Sequence, residues 1–185
     1  MAGPPTKVVV VDRDGVINED SGEFIKSVAE WRPIPGSLEA IAELTQAGYR
    51  TIVVTNQSGI ARGLLSEGIL RDIHQRMLNE VRAAGGDLAG VYYCPHHPDD
   101  GCDCRKPRTA LLQRAERELG VTLVGAPFIG DRKSDIEAAE AVGARAVLVR
   151  TGTGAATERL VDPGRVEVFD DLAAATRALL EEARG

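Results

Sequence analysis

Four β-branched residues, Val8 to Val11, run without a break into a carboxylate in "KVVVVD". An apolar run of that length, bounded by polar residues, reads as a strand buried on both faces, as in a parallel sheet. The next pattern has a different period. "PGSLEAIAELTQAGY" places Leu38, Ile41, Ala42 and Leu44 on one helical face and stops at Gly48. "RTIVVTN" returns to the strand pattern, ending at Thr55, and "SEGILRDIHQRMLNEVRAAGG" to the helical one. Ser66 suits the N-cap of that helix, and Gly85-Gly86 its end. "LAGVYYC" reads as a third strand, "PRTALLQRAERELG" as a helix and "APFIGD" as a strand ending at Asp131. "SDIEAAEAVG", "ARAVLVR", a short "VEVF" and "DLAAATRALLEEAR" complete the alternation as helix, strand, strand and helix.

Strands alternating with helices predict an α/β fold, a parallel sheet with helices on both faces. Ligands in such sheets sit beyond the carboxyl ends of the strands. Asp12, Asp14, Thr55, Asn56, Cys94 and Asp131 fall at those ends. The stretch from Gly15 to Pro35 has no clear period and is too long for a tight turn, so a small flap over the site is expected there. No repeat, low-complexity tract or linker divides the chain, and residues 1–185 are expected to form one domain.

Composition narrows the function classes. The 185 residues are 43% hydrophobic and 27% charged, an ordinary globular mixture with enough chain for a real core. The net charge of −6 argues against a general nucleic-acid binder, yet leaves room for an anionic small molecule in a locally positive site. The apolar stretches are far too short to span a bilayer, and "MAGPPTK" lacks the apolar core of a signal peptide. Three cysteines cannot pair completely, so a reduced, cytoplasmic protein is expected rather than a disulfide scaffold. No membrane or nucleic-acid partner is expected, and the chain is expected to act as a monomer.

The chemistry-bearing residues are those at the strand ends. In "VDRDGVIN", Asp12 and Asp14 stand two apart, and Gly15 allows a sharp turn and close ligand approach. Adjacent carboxylates repel unless a cation lies between them or one holds a proton. Phosphoryl transfer uses both conditions. Asp12 can ligate a hard cation with one oxygen and attack phosphorus with the other, while Asp14 can protonate a leaving oxygen and activate water. Thr55 and Asn56 offer donors to phosphate oxygens. Arg105, Lys106 and Arg108 in "CRKPR" offer charge. In "IGDRKSD", Asp131 can complete the cation site, while Asp135 suits either its support or the cap of the following helix. Each element also has a plain structural reading as turn, cap or solvated face. Their joint order selects the chemical one: the carboxylate pair, Thr55, Lys106 and Asp131 each fall at or shortly beyond a predicted strand end.

"CPHHPDDGCDCRKP" holds every cysteine of the chain and two of its three histidines. Cys94, His96, Cys102 and Cys104 follow C-x-H-x₅-C-x-C, a complete set for tetrahedral Zn²⁺, with His97 the rival to His96. Such an ion would staple a loop with no core of its own and aim Arg105 and Lys106, the next two residues.

"DRDGVIN", "TNQSGIARG", the cysteine loop ending in "CDCRKP" and "GDRKSD" resemble the haloacid dehalogenase superfamily, and more narrowly its heptose-bisphosphate phosphatases. The resemblance runs from about Val8 to Gly154; the last thirty residues carry no motif. It implies a Rossmann-like fold with little or no cap domain. It makes Asp12 the nucleophile and Asp14 the acid and base, with Mg²⁺ held by Asp12, Asp131 and the backbone carbonyl of Asp14. Thr55 and Lys106 would hold the transferring phosphate, and Cys94, His96, Cys102 and Cys104 would hold structural Zn²⁺. The implied activity is Mg²⁺-dependent removal of the C7 phosphate of D-glycero-D-manno-heptose 1,7-bisphosphate. Arg105 is expected at the remote phosphate or the sugar oxygens, with Asn56, Ser58, Gly59 and Arg62 toward the substrate. The short loop between His96 and Cys102 also occurs in related histidinol-phosphate phosphatases, but "TNQSGIARG" favours the heptose branch. A phospho-receiver signalling domain uses similar parts, yet its phosphorylated Asp follows the third strand, where this chain has Cys94. A zinc-stapled interaction domain without activity would leave Asp12, Asp14 and Asp131 unexplained.

Overall fold

The computed structural model describes residues 7–184. The first six residues, which include most of the "MAGPPTK" segment, lie outside the described residues. Six parallel strands form one sheet in the order β3-β2-β1-β4-β5-β6: β1 (Val8–Val11), β2 (Arg50–Asn56), β3 (Gly90–Cys94), β4 (Pro127–Gly130), β5 (Arg145–Val149) and β6 (Glu167–Phe169). The chain builds β1, β2 and β3 outward in one direction and then returns to the other side of β1 with β4. That reversal opens a crevice beyond the ends of β1 and β4, where such sheets bind ligands.

The period of two within β1 divides the core. Val9 and Val11 face the side covered by α1 (Ser37–Gln46), α2 (Glu67–Ala83) and α6 (Leu172–Glu182), packing with Ile41, Leu70, Met77 and Leu179. Val8 and Val10 face α3 (Ala110–Leu119) and α4 (Lys133–Ala141), packing with Phe128, Leu112, Ile136 and Ala139. All four valines are buried, as a strand covered on both faces requires. Ser66 caps α2 by accepting from Ile69 N at 3.2 Å, and Asp171 caps α6 by accepting from Ala174 N at 2.7 Å.

Three details differ from the sequence pattern. Helix α3 starts at Ala110 rather than near Pro107, because Ala110 N is held by Asp103 O and Arg108 N by Arg105 O in the preceding turn. A four-residue helix, α5 (Gly154–Thr157), follows β5 and is too short to show a period. The stretch from Gly15 to Pro35 is largely packed rather than a free flap. Val16, Ile17, Ile25 and Trp31 are buried, and Ile17 O accepts from Ile34 N at 2.9 Å and from the Ser37 hydroxyl at 2.6 Å. Its tip, through Asp20, Gly22 and Phe24, lines the site cavity. No cap domain stands over the sheet among the described residues.

Candidate active site

The ends of β1, β2 and β4 surround a polar cavity of about 340 Å³, lined by Asp12, Asp14, Thr55, Ser58, Arg62, Arg105, Lys106 and Asp135. Asp12 is delivered there by the buried β1. Its N–H extends the ladder to Ile129 O at 3.0 Å, and its Oδ1 accepts from Arg13 N at 2.7 Å. Gly15 turns the chain at φ 81°, and a Cβ there would lie 2.3 Å from Asp131 Oδ2. Gly152, at φ 58°, approaches the same oxygen equally closely. The two glycines therefore form a cradle that only a residue without Cβ allows.

Asp12, Asp131 and Asp135 bring carboxylate oxygens within 4.8 Å of one another, all buried. The sequence left Asp135 between capping and supporting this site, and it does both. Its Oδ2 accepts from Asp131 N and Arg132 N at 3.2 and 3.1 Å, while its Oδ1 lies 2.7 Å from Lys106 Nζ. Lys106 Nζ also lies 3.1 Å from Asp12 Oδ1 and donates to Val54 O at 2.6 Å. Burial pushes the Asp12 carboxyl up to about 8; Lys106 pulls it down, while Asp135, Asp131 and Asp14 push it higher. Burial and Asp135 raise Asp131 to about 6. Burial disfavours the Lys106 ammonium, but Asp12 and Asp135 outweigh it and hold the lysine charged.

Ionised together, Asp12, Asp131 and Asp135 would set three negative charges against the one buried ammonium of Lys106, with the half-exposed Arg132 approaching Asp131 Oδ1 only to 3.9 Å, and the raised Asp12 and Asp131 carboxyls register that excess. Asp131 Oδ2 accepts from Thr153 N at 2.8 Å and Thr153 Oγ1 at 3.0 Å, whereas its Oδ1 is buried without a hydrogen-bond partner. A hard divalent cation answers both facts, and an all-oxygen donor set suits Mg²⁺.

The Asp14 side chain turns away from this cluster. It accepts from Arg13 Nε and Nη2, from Asn18 Nδ2 at 2.8 Å and from Gln57 Nε2 at 2.8 Å. Burial opposes its ionisation, but the Arg13 guanidinium and the Asn18 and Gln57 amides hold the carboxyl below its usual range. Gln57 Nε2 also donates to Thr55 Oγ1 at 2.9 Å, which leaves the threonine O–H free to donate elsewhere. Asn56 is more committed than its place at a strand end suggests. Its Oδ1 accepts from Lys106 N at 3.0 Å and its Nδ2 donates to Lys106 O at 3.2 Å, fixing the lysine to the end of β2 and leaving one amide hydrogen for a ligand. Ser58 is buried and Arg62 stacks over the Phe24 ring at 5.6 Å, while Arg132 reaches across to Asp20 at 2.6 Å. Arg105 lines the cavity with a buried Nη1 that no protein group satisfies.

The cysteine loop closes on itself beside this cavity. Cys94, His96, Cys102 and Cys104 place one donor each within 4.8 Å of the others, and His96 Nδ1 stands 3.1 Å from Cys104 Sγ. His97 stays out of the cluster because it caps the turn Pro98–Asp100, its Nδ1 accepting from Asp99 N at 3.3 Å. Burial pushes Cys94 up to about 12; Cys102 is drawn down to about 7 because the Arg105 N–H and neighbouring thiols outweigh burial. A converging S₃N set suits a closed Zn²⁺ site, where the ion replaces the protons. Arg108 Nη1 donates to Gly101 O and Cys102 O, tying the loop to the turn that carries Lys106.

Sequence reasoning missed Arg13, Asn18, Gln57 and His74 around Asp14, and Asp20, Phe24, Arg132 and Ser134 at the cavity rim. Gln57 and Asn18 sit inside motifs already noted and could have been drawn from them; His74, in mid-helix sixty-one residues from Arg13, gives no signal.

A family model described as "HAD-hyrolase-like" matches residues 103–175. The chain is 49% identical over 174 residues to the D-glycero-beta-D-manno-heptose-1,7-bisphosphate 7-phosphatase of Pseudomonas aeruginosa, covering 94% of this chain and 98% of the relative. The D,D-heptose 1,7-bisphosphate phosphatase of Bordetella bronchiseptica, solved with magnesium and phosphate, superposes with a TM-score of 0.91 at 44% identity, over 95% of this chain and 99% of that one. The Burkholderia thailandensis phosphatase of the same description gives 0.74 at 37%, over 94% and 98%.

Proposed function

The chain belongs to the heptose-1,7-bisphosphate 7-phosphatase family of haloacid-dehalogenase-like hydrolases, and from that premise we propose that it removes the C7 phosphate of D-glycero-D-manno-heptose 1,7-bisphosphate with Asp12 as nucleophile. The observation that carries this reading is the juxtaposition at the sheet edge: a buried Asp12 clustered with Asp131 and Asp135, Lys106 bridging Asp12 and Asp135, and Asp14 lining the same cavity.

Asp12, Asp131 and the backbone carbonyl of Asp14 would hold Mg²⁺, with Asp135 behind them. Bound there, Mg²⁺ would neutralise charge on the transferring phosphoryl oxygens and favour the ionised Asp12 as nucleophile. Lys106 and the free O–H of Thr55 grip the same phosphoryl group. Asp12 Oδ attacks phosphorus in line; the P–O bond to the sugar breaks, and Asp14 delivers its proton to the departing oxygen. Asp14, a carboxylate in the free site, takes up that proton from solvent as the substrate enters, because the phosphate dianion beside it opposes its ionisation. Asp14, now a carboxylate, takes a proton from water as the water attacks the aspartyl-phosphate. Arg105, with its unsatisfied Nη1, is the group for the second phosphate, and Ser58, Gly59, Arg62 and the remaining Asn56 N–H face the sugar. Cys94, His96, Cys102 and Cys104 would hold a structural Zn²⁺ that fixes the turn carrying Arg105 and Lys106.

The proposed chemistry calls for no group from a second copy, and we propose that the chain acts as a monomer. No helix among the described residues is long and apolar enough to cross a membrane. Free thiols in a zinc set suit a reducing compartment, so we place the enzyme in the cytoplasm.

A phosphate-release screen in Mg²⁺ over sugar mono- and bisphosphates and histidinol phosphate tests the assignment. The heptose bisphosphate is expected to give the highest kcat/KM. Arg105→Ala should reduce it more for the bisphosphate than for a monophosphate without the remote group. Faster hydrolysis of histidinol phosphate would overturn the substrate, and equal losses on both sugars would remove Arg105 from its role.

A further inference from the structure

We propose that His74 is a positioning residue for proton transfer, holding Arg13 so that its guanidinium forks the Asp14 carboxylate; this rests on the reading of Asp14 as acid and base. Arg13 is fully buried, which is unusual for an arginine and demands that its donors be satisfied. Nε lies 3.0 Å from Asp14 Oδ1, and Nη2 lies 2.9 and 3.0 Å from Oδ1 and Oδ2. That leaves Nη1, whose partner is His74 Nε2 at 3.1 Å. Arginine only donates, so Nε2 is the acceptor.

Histidine is well suited to this position. A carboxylate here would compete with Asp14 for the guanidinium, whereas a neutral imidazole satisfies the outer nitrogen without drawing the fork away. His74 is itself fixed on α2, its ring tilted against Tyr93 of β3 with centroids 5.8 Å apart. The pair Arg13–His74 thus ties the loop after β1 to a helix on one face of the sheet. From the other side Gln57 holds Asp14 Oδ2 and Thr55 together. Asp14 keeps about a fifth of its side chain accessible, on the cavity side. An acid that must meet first a sugar oxygen and then a water needs one orientation for both steps, and displacement by about 1 Å costs on the order of 10²-fold.

Two amide substitutions separate this role from simple packing. The Oε1 of a glutamine can reach the place of Nε2; the Oδ1 of an asparagine stops near the place of Nδ1 and cannot reach Arg13. His74→Gln and His74→Asn are compared by kcat/KM on heptose 1,7-bisphosphate and on p-nitrophenyl phosphate, whose leaving group departs without a proton. Expected for His74→Asn is a loss on the order of 10- to 100-fold on the sugar and less than about threefold on the aryl ester, at or below the roughly 10²- to 10⁴-fold of a whole general acid, because the acid is displaced and not removed. His74→Gln should stay within about threefold of the parent on both. Asparagine and glutamine behaving alike, or equal losses on the two esters, would overturn the proposal. Asp14→Asn is run beside them. If it leaves sugar turnover intact, the acid/base reading itself fails; if it abolishes sugar turnover while His74→Asn is silent, only the role of His74 fails.

Discussion

Gly152→Ala addresses the cation site without replacing a ligand. A Cβ at this position would stand 2.3 Å from Asp131 Oδ2 and 2.6 Å from Gly15 Cα. Ordinary carbon contacts begin at about 3.5 Å, so the Asp131 carboxylate must retreat by about 1 Å or the two loops must part. The substitution also forces an L residue to φ 58°, a cost of about 1–2 kcal/mol. Gly120→Ala separates the two effects, because Gly120 has φ 62° and a Cβ there would meet nothing within 4 Å. Both variants should lose about the same 1–2 kcal/mol from backbone strain, with a further loss for Gly152→Ala from crowding. Only Gly152→Ala should lose catalysis, on the order of 10²-fold in kcat/KM for a displacement of about 1 Å, and need more Mg²⁺ for half-maximal rate. Urea denaturation gives the stabilities, and phosphate release against Mg²⁺ concentration gives the site. A Gly152→Ala protein with the activity and Mg²⁺ midpoint of Gly120→Ala would refute the reasoning that Asp131 is cradled for a cation.

Asp12→Asn should fold and show no turnover, since it keeps the volume and removes the nucleophile; wild-type-like phosphate release from the folded variant would remove Asp12 from that role. In magnesium-free buffer the folded Asp131 and Asp12 carboxyls hold protons up to about 6 and 8, while the unfolded chain releases them near 3.8. The folded state therefore binds more protons in that window, and stability falls as pH rises through it. Excess Mg²⁺ should displace those protons and raise Tm more at pH 8 than at pH 5; a Tm gain independent of pH would contradict the raised carboxyls. Elemental analysis should find about one zinc per chain, and stripping it should lower both hydrogen-exchange protection across residues 94–106 and turnover; a zinc-free protein with full activity would refute the staple.

The parts of this molecule that repeat were legible in the sequence, and the parts that converge were not. "KVVVVD" and "RTIVVTN" announce central strands because burial on both faces admits only apolar residues, and their ends fix where Asp12 and Thr55 emerge. The cysteine loop was legible because four metal ligands in eleven residues need no long-range information, although His96 and His97 could be told apart only by the cap that His97 makes. Asp135 was half-read: its position predicted a cap, but its second oxygen on Lys106 depends on a contact across twenty-nine residues of chain. Trp31 and Ile25 lie in a segment without a period, so their burial was hidden by irregular backbone. His74 lies on an amphipathic helix where any polar residue would satisfy the pattern, and only the crossing of α2 over the β1 loop gives it Arg13.

The most direct test of the central claim is ³¹P NMR of D-glycero-D-manno-heptose 1,7-bisphosphate incubated with the enzyme and Mg²⁺. The expected result is loss of the C7 phosphomonoester signal, growth of inorganic phosphate in equal amount and retention of the anomeric phosphate signal, with none of these changes for Asp12→Asn. Loss of the C1 phosphate first, or the same time course with Asp12→Asn, would contradict it.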